Sequence, residues 1–304
     1  MAYFRLLRPE QWVKNLFLFA GLLFGQKLSD PLSVAASLAG FALFCLLSSA
    51  MYVINDIRDA AEDRLHPRKR LRPLAAGLVS PGAAAGLSVA LIVVGLAGAW
   101  WLDRGFAAVA TTYLLLQAAY NAGLKHAAIL DVICIGAGFV LRAVAGAVLV
   151  HVEVSVWLVL CTFTLCLFMG FSKRRCELNA LAGAAPAAHR RTLAMYTPDL
   201  LNHMTTLTAG VAIVSFMLYA TDEVTIQKFH SNYLLYTLPI VVYAVFRFAL
   251  RVERGDVDGP TDVLLRDRPF QIAIVLWVLA ATSIVYGGNR IAAALQWLSG
   301  DAAA

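Results

Sequence analysis

Asp56, Asp59 and Asp63 recur at i, i+3 and i+7 within NDIRDAAEDRLHPRKRLR, residues 55–72. On a helix that spacing brings three carboxylates onto one face within about two turns, roughly 10 Å. A divalent cation relieves their mutual repulsion, and Mg²⁺ characteristically binds through one or two carboxylates together with the phosphate oxygens of a substrate. The same stretch carries Arg58, Arg64, Arg68, Lys69, Arg70 and Arg72, and guanidinium forks pair bidentately with phosphate. These residue types point to a Mg²⁺-pyrophosphate site, with Asp56, Asp59 and Asp63 as candidate metal ligands and Asn55 beside them. A purely structural reading, a basic clamp on anionic lipid, accounts for the arginines and leaves the aspartates unexplained.

Further polar residues interrupt otherwise apolar runs. Lys14 and Asn15 sit in RPEQWVKN, where a lysine either snorkels toward the headgroups or turns inward toward an anion. YNAGLKHAAILD contributes Tyr120, Asn121, Lys125 and Asp131. Arg142 follows in VICIGAGFVLRAVAGAV. A guanidinium at that depth requires an anion or a wet cavity, and Asp131, a neighbour's carboxylate or a bound phosphate each satisfies the requirement. Gly123, Gly136, Gly138 and Gly146 leave room for close backbones or a lipid chain. In FMGFSKRRCELNAL, Lys173 and Glu177 share a helix face and Arg174 adjoins them. PAAHRRTLAMYT adds Arg191 and Tyr196, either as site residues or as part of an exposed connector. The lone His203 reads as a packing residue.

The elements that must position these groups are membrane helices. The 304 residues are 60% hydrophobic and 14% charged, with a mean hydropathy of +0.72, far outside soluble usage. Apolar runs long enough to cross a bilayer fall near 12–29, 32–54, 80–102, 105–122, 127–149, 154–171, 200–220, 232–250 and 270–288, about nine spans. The second is expected to continue as helix until His66-Pro67, and the tail after Gly288 to form a short interfacial helix. Apart from Lys27, Arg104, Arg142, Lys228 and Arg290, every Lys and Arg falls at or before the start of the first span, in alternate loops or at their edges. The positive-inside rule then makes the N-terminus and the 55–72 block cytoplasmic. Charge divided in this way argues against a nucleic-acid partner. No removable leader is expected from MAYFRLLRPEQW. The five cysteines show no metal or disulfide spacing and read as packing residues. Nucleotide-fold, zinc-protease and serine-hydrolase motifs are absent. The expectation is an all-α, polytopic membrane protein forming a single domain over 1–304, its two halves marked by the blocks at 55–72 and 172–191.

NDIRDAAEDR resembles the NDxxDxxxD signature of the UbiA-type prenyltransferase superfamily, whose members have nine helices around a central cavity. RPEQWVKN, the DRLHPRKRLRP string, YNAGLKHAAILD with GFVLRAVAGA, and SKRRCEL resemble its decaprenyl-phosphate phosphoribosyltransferase branch, a likeness that covers residues 5–196. The wider superfamily carries a second DxxxD motif where this chain reads KRRCE. The resemblance implies a Mg²⁺-dependent transfer of phosphoribose from phosphoribosyl pyrophosphate to a polyprenyl phosphate at the cytoplasmic face of the cell membrane, by a homotrimer. Under it Asp56 and Asp63 hold Mg²⁺ on the leaving pyrophosphate, and Asn55 and Asp59 orient the metal shell or the ribose hydroxyls. Lys69, Arg70 and Arg72 bind phosphates, Lys125, Arg142, Lys173 and Arg174 form an opposite wall, and Lys14 meets the lipid phosphate. Tyr120, Asp131, Glu177 and Tyr196 complete the candidate set. Two other readings stand beside this one: transfer of a prenyl group from its diphosphate to an aromatic acceptor, and a transporter or binding protein for phosphorylated lipids.

Overall fold

Among the described residues, 31–65 form the longest helix, and their composition explains why. From Pro31 the run LSVAASLAGFALFCLLSSAMYVI offers small and apolar residues with no breaker. The polar continuation NDIRDAAEDRL keeps strong helix formers up to Leu65. At 1.5 Å per residue the helix is roughly 50 Å long against about 30 Å of hydrocarbon, so the turns carrying Asn55 to Arg64 project past the apolar layer. The computed structural model describes residues 2–65, 69–180, 191–255, 257 and 259–299, without the side chains of 158, 180, 191 and 289–299.

In chain order the α-helices are α1 (Ala2–Leu6), α2 (Phe19–Phe24), α3 (Pro31–Leu65), α4 (Pro81–Leu102), α5 (Arg104–Ala122) and α6 (Leu130–Leu149). They continue with α7 (Val156–Ala180), α8 (Pro198–Thr221), α9 (Glu223–Phe229), α10 (Leu238–Glu253), α11 (Pro260–Arg266) and α12 (Arg268–Ser299). No strand occurs among the described residues. Among the described residues, six helical segments are long and apolar enough to cross a membrane. Large apolar side chains lie open along them, Trp101 at 88% being the extreme, as lipid-facing helices require. The protein is an all-α, multi-pass membrane protein.

The chain divides into two compact units, Met1–Ser155 with Leu181–Thr197, and Val156–Ala180 with Pro198–Ala304. In the first, Phe44, Leu47 and Met51 of α3 pack with Phe106 and Tyr113 of α5 and Leu149 of α6. In the second, Phe168 of α7, Val245 and Phe248 of α10 and Phe270 of α12 form the core. Helix starts follow ordinary capping chemistry: Ser80 accepts from the Ala83 N–H ahead of Pro81, and Asp103 accepts from the Phe106 N–H.

Two expectations need correction. The stretch expected as the first span, 12–29, is not one regular helix: Pro9–Leu18 is 3₁₀, and α2 adds only Phe19–Phe24. Side-chain anchors to α3 account for the tighter winding. Trp12 Nε1 donates to Ser49, the Ser49 hydroxyl donates to the Leu7 carbonyl, and Asn15 donates to Ser48 and Cys45. The tail after Gly288 is also no separate interfacial helix, because α12 runs on to Ser299 without a break.

The glycines differ in what they permit. A side chain at Gly146 on α6 would run into the Leu18 carbonyl, and one at Gly21 would meet the Ala147 backbone. The leading segment thus packs backbone to backbone on α6, as small residues allow in lipid. A Cβ added at Gly123 would meet nothing within 4 Å, so among the described residues no second backbone packs against it there. Gly146→Leu is expected to lower the melting temperature in detergent by several degrees or to prevent folding, whereas Gly123→Ala leaves it within about a degree. Equal melting of the two variants would contradict this packing.

Candidate active site

Asp56 and Asp63, two turns apart on α3, are both buried, and one nitrogen of Arg72 serves them both: Nη1 is 3.3 Å from Asp56 Oδ1 and 2.5 Å from Asp63 Oδ2. Asp56 also forms an ion pair with Arg8. The Arg8 guanidinium lies over the Tyr52 ring, 5.2 Å from its centre, one turn before Asp56. The helix supplies the carboxylates, the segment after it returns Arg72 from beyond the 3₁₀ turn Lys69–Leu71, and the N-terminus supplies Arg8.

Asp59 does not complete a three-carboxylate ladder. It faces Lys125, whose Nζ donates to Asp59 Oδ1 at 2.5 Å and to Asn55 Oδ1 at 3.2 Å, while Asn55 donates to Asp59 Oδ2 at 2.8 Å. At i+3 the carboxylate is rotated far enough round the helix to meet a different element, the 3₁₀ turn Leu124–His126 after α5. The backbone there is held by Thr192, which donates to the Lys125 carbonyl. Asn55, Asp59 and Lys125 form a second cluster beside the Asp56 and Asp63 pair.

Arg142 does not pair with Asp131. Its Nε donates to Asn15 Oδ1 at 2.7 Å, Nη1 to the Gly138 carbonyl at 2.8 Å and Nη2 to the Tyr113 hydroxyl at 2.8 Å. It also stacks near Tyr113 and Phe139. Each of these partners is neutral. The guanidinium is buried and joins the N-terminal 3₁₀ helix to α5 and α6. Asp131 instead accepts from the Tyr196 hydroxyl at 2.9 Å, and that hydroxyl accepts from the Ile129 N–H at 2.6 Å. Tyr196, expected as a site residue or part of an exposed connector, is a buried clamp on the start of α6. Lys14 turns inward, its Nζ 3.5 Å from the Tyr52 hydroxyl.

Tyr120 lies half-buried on α5, Lys69 half-buried and Arg70 exposed on their turn. In the second unit Arg174 is fully buried and pairs with Glu177, which Lys173 approaches at 3.8 Å. Arg175 reaches Glu253. Arg247 grips Asp267 through two bonds of 2.9 and 3.0 Å, and Arg251 lies 3.1 Å from it. His203 is exposed on α8 and not packed. His66, Pro67, Arg68 and residues 181–190 lie outside the described residues, as does the Arg191 side chain.

Sequence reasoning missed Arg8, Tyr52 and Asp267. Tyr52 was accessible in principle, lying one turn from Asp56 on the same face. Arg8 opens the RPEQWVKN motif, but its partner could not be read from the sequence, because the pairing spans 48 residues.

Among the described residues no three His, Cys, Asp or Glu side chains converge on one point. The donor set still suits Mg²⁺, which takes one or two carboxylates and fills its remaining positions with water and phosphate. Asp56 and Asp63 already share one cationic atom, the Arg72 nitrogen. What the geometry defines is a multi-pass membrane protein with a buried two-carboxylate, two-arginine cluster at one helix end.

Residues 15–275 match the UbiA prenyltransferase family profile, and the chain belongs to that family. It is 36% identical over 289 residues to a decaprenyl-phosphate phosphoribosyltransferase of Mycolicibacterium smegmatis, covering 92% of this chain and 91% of that one. A protein of the same name from Corynebacterium glutamicum is 35% identical over 294 residues, covering 92% of this chain and 85% of the relative. A UbiA homologue from Archaeoglobus fulgidus, solved with GPP and Mg²⁺, shares the fold at a TM-score of 0.71 and 20% identity, over 94% of this chain and 99% of that one.

Two outcomes follow from these contacts. Tyr196→Phe leaves a buried carboxylate without its hydroxyl partner and is expected to lower stability by about 1–3 kcal/mol, seen as a lower melting temperature with substrate KM unchanged; a raised KM at unchanged melting would return Tyr196 to the substrate. The Asp267 carboxyl is held below its ordinary range, first by the Arg247 hydrogen bond, opposed by burial, and then by the Phe270 N–H and the charges of Arg247 and Arg251. A depressed native pKa gives stability that is present above the unfolded value and lost as pH falls through the native one. Asp267→Asn is therefore expected to melt lower than the parent protein at neutral pH, with the gap closing as pH drops below about 4.

Proposed function

We propose that this protein transfers 5-phosphoribose from phosphoribosyl pyrophosphate to a polyprenyl phosphate of the decaprenyl type, releasing pyrophosphate in a Mg²⁺-dependent reaction. The observation that carries this reading is the buried Asp56 and Asp63 pair sharing one cation position, in a chain whose relatives of the same family bear that activity in their names. Both units belong to a single transferase domain over 1–304. The basic loops favour a site facing the cytoplasm at the cell membrane, and a homotrimer is the assembly that the family resemblance implies.

The acceptor phosphate is already an anion, so its oxygen needs no general base to attack C1 of the ribose as the C1–O bond to pyrophosphate breaks. The protein has to neutralise and position charge. Mg²⁺ held by Asp56 and Asp63 would supply charge neutralisation on the leaving pyrophosphate. Arg72 offers a guanidinium to the donor phosphates, and Lys125 keeps Asn55 and Asp59 oriented toward the ribose hydroxyls. Lys14, beside Tyr52, is the ligand we assign to the lipid phosphate. Lys69 and Arg70 are further phosphate ligands in this reading. Arg142, Asp131 and Tyr196 act through the backbone elements they hold, and Glu177 orients Arg174.

Prenyl transfer to an aromatic acceptor is the second reading. It rests on the family as a whole and expects a second acidic pair where this chain has Lys173 and Arg174 around Glu177. The separating experiment incubates purified protein with Mg²⁺, radiolabelled phosphoribosyl pyrophosphate and decaprenyl phosphate, and in a parallel arm with a polyprenyl diphosphate and an aromatic acceptor. Label in the lipid phase of the first arm is expected, and label transfer only in the second would overturn the proposal. Asp56→Ala and Asp63→Ala are each expected to reduce turnover by about a hundredfold or more while melting as folded protein, and full activity in both would remove the metal role.

A further inference from the structure

Among the described residues the carboxylates and guanidiniums that pair at the end of α3 balance in charge. Two carboxylates, Asp56 and Asp63, face two guanidiniums, Arg8 and Arg72. The carboxylate side chains are almost sealed, at 2% and 5% exposure, and the arginines are the open members, at 18% and 27%. A cation arriving alone would have to pass the arginines and add its charge to a balanced site. Among the described residues Arg8 spends a single nitrogen on Asp56, although a guanidinium carries five N–H donors. Its backbone is left-handed, φ 52 and ψ 60, with no glycine to ease it. Such a conformation persists only where the surroundings impose it, and it is concentrated at functional positions. Here it turns the side chain across the Tyr52 face onto Asp56.

We infer that Arg8 and Arg72 are an exchangeable counter-ion pair: they neutralise Asp56 and Asp63 in the empty site and pass to the oxygens of an incoming diphosphate, so that the divalent cation enters together with the diphosphate. This makes Arg8 a diphosphate-binding residue of the donor site. The inference rests on the metal-site reading above and adds a thermodynamic signature to it. Two ligands that each relieve the same ion pairs must strengthen one another's binding reciprocally. In the absence of diphosphate the arginines compete with the metal; in its presence they are drawn away.

The test uses purified full-length protein in detergent and measures Mn²⁺ binding by electron paramagnetic resonance, with and without inorganic pyrophosphate. The parent protein is expected to bind Mn²⁺ weakly alone and far more tightly with pyrophosphate, after correction for the free Mn²⁺-pyrophosphate complex. Arg8→Gln and Arg72→Gln should each bind Mn²⁺ alone more tightly, on the order of tenfold, the scale of one charged hydrogen bond, and should lose most of the gain from pyrophosphate. Arg8→Lys should stay close to the parent, and melting curves confirm that each variant is folded. If Asp56→Asn with Asp63→Asn binds Mn²⁺ as the parent does, the metal reading itself fails. If that double variant loses Mn²⁺ while Arg8→Gln and Arg72→Gln bind it no more tightly than the parent, the counter-ion exchange is overturned and the metal site stands.

Discussion

Two buried carboxylates cannot remain charged side by side at the end of an apolar helix unless cations are brought to them, and much of the first unit is arranged to do so. Desolvation of an unpaired charge costs several kcal/mol, which the burial of Asp56 and Asp63 would impose in full. Arg72 returns from the segment after α3, and Arg8 comes from the segment before the first long helix. The cations therefore converge on one helix end from both directions along the chain. Side chains that neutralise carboxylates in this way are also the ones that bind phosphate, which is why one arrangement serves both stability and the transferase chemistry of the family.

The N-terminal segment is shaped by the same demand. A regular span over 12–29 would be simpler in lipid, but the observed 3₁₀ run lets Trp12 and Asn15 bond to Ser49 and Ser48 while Arg8 and Lys14 lie near Tyr52. Arg142 adds a third attachment through Asn15. Its partners are neutral dipoles and aromatic faces, so the buried charge is stabilised by hydrogen bonding and cation–π contact instead of by a carboxylate. Gly146 lets the Leu18 carbonyl approach α6 directly. Without that close approach Asn15 would not come within reach of the guanidinium.

Helix content, membrane character and the carboxylate pair were all legible in the chain, because hydropathy and i, i+3, i+7 spacing are local properties. NDIRDAAEDR marked the candidate site by residue type and spacing, and α3 continues to Leu65 as its lack of breakers implied. Individual partners were not legible. Asp59 sits on the expected face by spacing, but the few tens of degrees between i and i+3 hand it to Lys125 and not to Arg72. Arg142 needed an anion or a wet cavity by local argument, and the fold supplied Asn15, Tyr113 and a backbone carbonyl instead.

The chain by itself determined that this is a helical membrane protein with acidic and basic residues gathered at the end of one long helix, since bilayer thickness and helical period act on contiguous residues. Only the tertiary structure decided which cation meets which carboxylate. Ion pairing is a matter of a few ångströms between side chains, and the pairs that matter join residues 9, 48 and 66 positions apart. Those separations are closed by packing alone: glycine contacts, serine anchors on α3 and the return of the chain after Leu65.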